Sequence, residues 1–346
     1  MIVNAYAVLV LLLNLLRFPA AVVVLLVGLP AAIRCSAALR SDERKDIEDR
    51  FYLLFMLVVF LLGLNVVSWP LLYWLLQSYV PEWPGVMCIY GVTQVGTGSV
   101  GVAGTLPTVI KALQLLKPAL IFVSGAWFVL YWINRRTQTA ALTQRMLVGV
   151  VLLGTISLAD SALEISYVVI PKRENLPNAG CCSAMQSEAL SNRFSAAGWF
   201  PASQSRWLCG AYYATNGLLV LMLLSHFSAF YRHRRNLWLL AMLVALSVTI
   251  PISFFFLIDV AAPAILHLPL HHCAYDLITV APESVLGIAL FALGSFSIGW
   301  ACVAAWIAWR PETSKLLTEA VDRALFLALF CFSASLVLFS VEMALS

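Results

Sequence analysis

Cysteine and histidine side chains are concentrated in the polar connections between the apolar segments of this sequence. The cysteines recur there at nearly regular intervals, and two histidines directly precede the last of them. Thiolate sulfur and imidazole nitrogen together suit Cu(I) or Zn(II), and thiols also exchange electrons with disulfides. We therefore expect a redox or soft-metal site at Cys88, Cys181, Cys182, Cys273, His271 and His272, with the four cysteines and His272 as the metal ligands.

The same cysteines have a second, structural interpretation. In an oxidising compartment they form disulfide bridges, and Cys209 is then a further candidate for pairing. These five cysteines are an odd number, so one thiol stays unpaired in that case. The sequence alone leaves the metal, redox and disulfide interpretations open.

Charged side chains inside apolar segments are the second feature that could do chemistry. Arg17, Asp160 and Glu164 all lie in such segments, and the two acids are spaced four residues apart. This spacing places both carboxylates on one face of a helix. A charge at the centre of a membrane costs about 2.5 to 3.5 kcal/mol, so each group needs a partner. We predict a membrane-embedded network in which Arg17, the one basic residue expected at that depth, balances the acids, either as structural glue or as a proton or cation relay.

The elements that must position these groups are membrane helices. Of the 346 residues, 62% are hydrophobic and 11% are charged, whereas a soluble domain has about 25% charged residues. Crossing the hydrocarbon takes about 20 apolar residues. We predict an all-α, polytopic integral membrane protein of about eight transmembrane helices, from apolar runs near 10–33, 51–79, 117–134, 146–170, 209–230, 237–260, 284–308 and 324–344. Residues 105–116 read as an amphipathic helix in the membrane interface, with the next crossing beginning at Lys117-Pro118.

The basic residues predict the orientation. Most of the 21 Lys and Arg residues lie in alternate loops, and cytoplasmic loops are the ones enriched in such residues. This bias predicts that both termini are extracytoplasmic, in a plasma (bacterial inner) membrane. The cysteine-bearing loops then face outward. The basic loops are 34–50, 135–145, 231–236 and 309–323.

The regular cysteine spacing also suggests an internal repeat within a single membrane domain, 1–346. Each unit would contain a helix, a cysteine-bearing outer loop and a second helix. The predicted units are 51–136, 146–235 and 237–310.

Several cofactors and partners are not expected. The G-x-G-x-x-G spelling at residues 96–101 joins two membrane segments and not a βαβ unit, so it does not indicate a nucleotide site. There is no C-x-x-C-H motif for haem c, and the dispersed basic residues do not indicate nucleic-acid binding. The expected partners are the lipid bilayer and other membrane or periplasmic subunits.

The pattern thus favours an integral plasma-membrane protein with a Cys/His loop cluster over an embedded acid pair, handling soft metal ions or thiol/disulfide electrons with copper or zinc. One alternative is a non-enzymatic subunit of a respiratory or transport complex, with structural disulfides. Another is a secondary transporter, which predicts broken helices. Pro19, Pro70 and Pro251 are the candidate breaks. Whether the protein is an enzyme stays open.

Overall fold

The structure, a computed structural model, is helical throughout the part of the chain that it describes. Those residues are 4–37, 52–83, 86, 88–96, 102–137, 141–172, 204–227, 235–268 and 273–345. Within these ranges there is no β-strand, which confirms the all-α prediction.

Eight helices in these ranges are long and apolar enough to cross a membrane, which confirms the predicted number of spans. We number them α1 to α8 in chain order. They are α1 (Ala5–Ala37), α2 (Tyr52–Ser78), α3 (Leu106–Arg135), α4 (Thr143–Val169), α5 (Gln204–His226), α6 (Arg235–Phe256), α7 (Pro282–Ile307) and α8 (Ser314–Leu345).

The helices expose apolar side chains and bury polar ones, as a helix bundle in lipid requires. Leu26 in α1 is 70% exposed and Leu53 in α2 is 79% exposed, whereas Asn14, Arg17 and Asn65 on the same two helices are buried. In a bilayer each helix satisfies its own backbone hydrogen bonds, and its polar side chains must find partners inside the bundle. This distribution supports a multi-pass membrane protein.

Helix α3 differs from its prediction. It is continuous from Leu106 to Arg135, with Pro118 inside it, so the expectation of a separate interfacial helix over 105–116 is wrong. Lys117 lies within the helix and is buried. Proline is tolerated there because neighbouring helices can satisfy the backbone groups that it frees.

Two of the three candidate helix breaks are also wrong. Helices α1 and α2 continue through Pro19 and Pro70. The third candidate, Pro251, lies near an irregularity. Helix α6 ends at Phe256, and a π-helical turn at Leu257–Ala261 follows it.

The chain divides into two compact units. The first unit is Met1–Ala179 with Trp306–Thr318, and the second is Gly180–Ala305 with Glu319–Ser346. The predicted single domain and its three repeats stay predictions.

In the first unit, α1 packs antiparallel to α4 along a seam of small residues. A Cβ on Gly28 would lie 3.0 Å from Val150, and one on Gly154 would lie 2.9 Å from Leu25. Glycine therefore lets these two helices approach more closely than any larger side chain would. This close approach brings the polar residues of α1 against those of α4.

In the second unit, α5 packs on α6 through aromatic and polar contacts. Tyr212 and Phe256 are stacked with ring centroids 3.9 Å apart, and Asn216 donates a hydrogen bond to Ser253 at 3.1 Å. Helix α7 contacts α8 through glycine, since a Cβ on Gly287 would lie 2.8 Å from a ring carbon of Phe339.

Candidate functional site

Four ionisable side chains from three helices form a closed cluster in the first unit. Arg17 of α1 and Lys117 of α3 each contact both acids of α4. Arg17 Nη1 lies 2.7 Å from Glu164 Oε2, and Lys117 Nζ lies 2.7 Å from Asp160 Oδ2. Arg17 Nη2 also contacts Asp160 Oδ2, and Lys117 Nζ contacts Glu164 Oε1. We call these four residues the charge ring.

The charge ring is buried and electrically balanced. All four side chains are at most 2% exposed, and two cations face two carboxylates. Charges so deep in a low dielectric are stable only when they are paired and hydrogen-bonded. Because each acid contacts both cations, removal of any one member leaves an uncompensated charge inside the bundle.

A shell of neutral polar side chains from α2 and α4 holds the two cations in place. Arg17 Nε donates to Asn65 Oδ1 at 3.1 Å, and Asn65 Nδ2 donates to Ser157 at 2.9 Å. Lys117 Nζ donates to the Ser68 hydroxyl at 2.9 Å. Lys117 therefore has three acceptors for its three N–H groups, counting Ser68 and the two acids.

One carboxylate oxygen of the ring, on Asp160, has no partner in the described part of the chain, whereas both oxygens of Glu164 have one. Asn14 of α1 donates from Nδ2 to Glu164 Oε2 at 2.8 Å. Asp160 Oδ1, Asn14 Oδ1 and the Ser161 hydroxyl are buried, and none has a hydrogen-bond partner among the residues that the structure describes. Buried polar atoms normally have partners, so three such oxygens at one cluster require an explanation.

An aromatic layer covers the charge ring toward the Val169 end of α4. Tyr167 follows Glu164 by about 4.5 Å along the helix axis. Its ring centroid lies 6.3 Å from that of Tyr79, which in turn lies 5.7 Å from that of Trp83. All three rings are buried.

Lys172 follows this layer, three residues beyond α4, at the end of the described segment 141–172. Its Nζ lies 4.5 Å from the ring centroid of Tyr167 and 5.4 Å from that of Tyr79. It donates to the carbonyl oxygens of Tyr167 and, at 3.4 Å, Ile170. Removal from water lowers the pKa of Lys172 to about 8, because desolvation disfavours the charged amine.

A second aromatic layer lies toward the Thr143 end of α4. Trp127 and Tyr131 of α3 are stacked with centroids 5.3 Å apart, and Phe55 of α2 contacts both rings. Trp127 packs over Gly149, where a Cβ would lie 2.9 Å from the indole. Gly149 is about 16 Å from Asp160 along the helix. Along α4, the charge ring therefore lies between the two aromatic layers of the first unit.

Three of the four ring members are residues that the sequence predicts. The structure brings Arg17, Asp160 and Glu164 together. The expectation that Arg17 is the one basic residue at this depth is wrong, because Lys117 is the second cation. The signal in the sequence that could have identified Lys117 is a lysine within an apolar stretch. The proline that follows it indicated instead that a helix begins there, which would place the lysine at the helix end.

The cysteine and histidine candidates are only partly described. Cys88 in the first unit and Cys273 in the second are both buried, and each immediately precedes a short helix, Ile89–Gln94 and Ala274–Val280 respectively. Cys209 lies half-buried in α5 and forms no disulfide with another cysteine in the described ranges. Four further candidate residues lie outside the described residues: Cys181, Cys182, His271 and His272. The metal and redox roles of this set stay predictions.

Chemically, the charge ring is suited to holding or exchanging a cation or a proton. Its fixed cation is Arg17, since a guanidinium does not lose its proton in proteins. Lysine and the carboxylates are the groups that can change protonation.

Comparison with family models, with curated proteins and with solved structures finds no match to this chain.

Proposed function

We propose that this chain is a proton-coupled secondary carrier of the plasma membrane, with the charge ring as its proton-binding element. The observation that carries the proposal is a closed ring of two cations and two acids, wholly buried in a membrane bundle, with one carboxylate oxygen unpartnered.

Stability alone is a weak reason for such a ring. Replacing a buried ion pair by well-packed apolar residues is often neutral or stabilising, since desolvation offsets the Coulombic attraction. Ionisable groups inside membrane helices typically mark ion pathways and proton relays. A structural role therefore does not account for four of them together.

The surroundings of the ring support the proposal that protons are exchanged at a site closed to bulk water. The four side chains of the ring are at most 2% exposed, and buried aromatic side chains lie further along α4 on both sides of them. A carrier must hold its site in this way, because a continuous water path would leak protons. The close helix contacts at Gly28 and Gly154 would let α1 and α4 shift against each other without separating.

The proposal is tested by proton movement in proteoliposomes that contain the purified chain. A pH gradient is imposed, and pooled monovalent salts, divalent salts, amino acids and organic acids are added in turn. We expect one pool to dissipate the gradient with the native chain and not with Asp160→Asn. Exposed Glu82→Gln is the matched control and should behave as the native chain does. If no pool distinguishes the native chain from empty liposomes, the proposal is wrong.

The cysteines support a second candidate function, the handling of soft metal ions or thiol electrons at the extracytoplasmic face. The observation that favours it is that Cys88 and Cys273 are buried thiols in connections that the basic-loop bias assigns to the outside. Copper or zinc content of the purified chain, compared with Cys88→Ser and Cys273→Ser, tests this function. Metal-free protein with stable disulfides would exclude it and favour the alternative of a non-enzymatic subunit.

A further inference from the structure

We propose that the buried site around Lys172 Nζ binds a primary organic amine in its ammonium form, and that Lys172 occupies this site when no ligand is present. The site is formed by the rings of Tyr79 and Tyr167 and by carbonyl oxygens at the end of α4. We call it the ammonium site. It goes beyond the proton-binding role proposed for the charge ring and does not depend on it.

The position of Lys172 Nζ marks one point on which the groups of the site converge. Nζ lies over the rings of Tyr167 and Tyr79, 4.5 and 5.4 Å from their centroids. A ring face attracts a cation within about 6 Å of its centroid. Trp83 packs edge-on against Tyr79 with centroids 5.7 Å apart, and all three rings are buried. The aromatic part of the site is therefore already assembled around a positive charge.

The carbonyl oxygens of the site select a cation that carries N–H groups. Lys172 Nζ donates to the carbonyl of Tyr167, to that of Ile170 at 3.4 Å and to that of Val168 at 3.5 Å. Helix α4 ends at Val169, so two of these carbonyls lie in its last turn, at the negative end of the helix. A primary ammonium has three N–H donors for these three oxygens, whereas a quaternary ammonium has none.

Helix capping alone does not account for this arrangement. Lysine near a helix end commonly donates to the last carbonyls, and Pro171 has no N–H that could reach the Tyr167 carbonyl. A lysine can fill that role with its charged end in water. Lys172 is only 6% exposed, and desolvation lowers the pKa of its amine to about 8. Burial thus costs free energy that a cap does not require, while it strengthens the attraction between a cation and the rings.

Exchange of Lys172 for a ligand conserves the charge of the site. The lysine ammonium is carried on a flexible stem of four carbons, so Nζ can leave the site while an external ammonium enters it. One positive charge replaces another, and Lys172 regains its hydration. The space that the side chain vacates fits an alkylammonium of about four carbons. Butylammonium is therefore the matched probe.

Displacement of Lys172 can be measured in the native chain. The purified full-length chain in detergent is acetylated with an amine-specific succinimidyl ester, with and without N,N-dimethylbutylamine. This tertiary amine keeps one N–H as an ammonium and forms no amide with the reagent. We expect acetylation of Lys172, measured by peptide mass spectrometry, to rise at least about fivefold, because the ligand and Lys172 compete for one site. Exposed Lys111 is the matched control and should not change. Unchanged acetylation of Lys172 at every ligand concentration would overturn the inference.

Equilibrium dialysis of butylammonium against the same protein measures binding itself. Lys172→Ala removes the intramolecular competitor, so we expect binding at least about tenfold tighter than in the native chain. Tyr79→Leu should weaken binding at least about tenfold, because a buried cation–π contact is lost. Tyr131→Leu, in the other aromatic layer of the first unit, is the matched control and should bind as the native chain does.

Two further probes test the selectivity of the ammonium site. Neutral 1-butanol lacks the charge and tetramethylammonium lacks the N–H donors, so each should bind at least about tenfold more weakly than butylammonium. Equal binding of 1-butanol would overturn the inference. Binding in Lys172→Ala alone, with none in the native chain, would show an engineered cavity only and would overturn it too.

The two proposals can fail separately, because ammonium binding is measured in detergent without a pH gradient. If a solute pool dissipates the gradient in proteoliposomes and butylammonium does not bind, the carrier stands and the ammonium site is wrong. If butylammonium displaces Lys172 but no pool dissipates the gradient, the ammonium site stands and the carrier proposal is wrong.

Discussion

Replacing Lys117 by methionine should destabilise the protein strongly and in a way that a second substitution reverses. The side chain keeps its length and loses its charge, so Asp160 and Glu164 share Arg17 alone and the ring carries a net negative charge. Breaking a buried pair by removing one partner costs about 3 to 5 kcal/mol. We expect Lys117→Met to lower the free energy of unfolding by that amount.

The rescue follows from the same balance. Asp160→Asn alone leaves a net positive charge and should cost a similar amount. Together, Lys117→Met and Asp160→Asn leave the neutral pair of Arg17 and Glu164. If the two sites were independent, the costs would add to about 6 to 10 kcal/mol. We expect the double variant to be no less stable than either single variant.

Unfolding in mixed micelles with increasing amounts of a denaturing detergent measures these differences. Lys111→Met is the matched control, because Lys111 lies on the same helix and is exposed. It should change the free energy of unfolding by less than about 0.5 kcal/mol. Additive destabilisation in the double variant, or a Lys117 effect as small as that of Lys111, would refute the charge ring as a coupled unit.

Three other predictions address packing, pH and orientation. Gly154→Val should cost about 1 to 3 kcal/mol, because the new Cβ would lie 2.9 Å from a leucine of α1, whereas Gly63→Val faces open space and should be nearly neutral in the same unfolding assay. Desolvation lowers the pKa of Lys172 to about 8, so between about pH 8 and about pH 10.4 this amine is neutral in the native state and charged in the unfolded state. The free energy of unfolding should therefore rise with pH within this window, and Lys172→Met should abolish the rise in unfolding measured at each pH. An impermeant maleimide should label Glu82→Cys and not Ser41→Cys in intact cells, and the reverse would invert the predicted orientation.

Much of the architecture is readable from the sequence because lipid imposes simple rules. Apolar runs of sufficient length predict helices, and the eight spans follow from them. Charged residues inside such runs must be paired, which is why Arg17, Asp160 and Glu164 could be singled out as one network. The four-residue spacing of the two acids also predicts that both carboxylates lie on one face of α4.

Lys117 shows where this reasoning fails. A lysine near the end of an apolar run normally extends to the membrane interface, and a proline after it normally marks the start of a helix. Here α3 extends about three turns further, and Lys117 finds three acceptors inside the bundle. No local pattern indicates those acceptors, because they come from α2 and α4.

The register of α1 against α4 is not predictable from the sequence for a related reason. It depends on glycines that allow close approach, and the residues that pack against them lie far away in the chain. Asn14 and Asn65 were the overlooked signals. An asparagine in an apolar membrane helix needs a partner as a charge does, and both contact the charge ring.

Proton movement by the charge-balanced double variant is the most direct test of whether the ring serves transport or only holds the helices together. Lys117→Met with Asp160→Asn should fold, as judged by unfolding in mixed micelles, and should fail to dissipate a pH gradient in proteoliposomes under conditions in which the native chain does. A stable double variant that moves protons at the native rate would contradict the account.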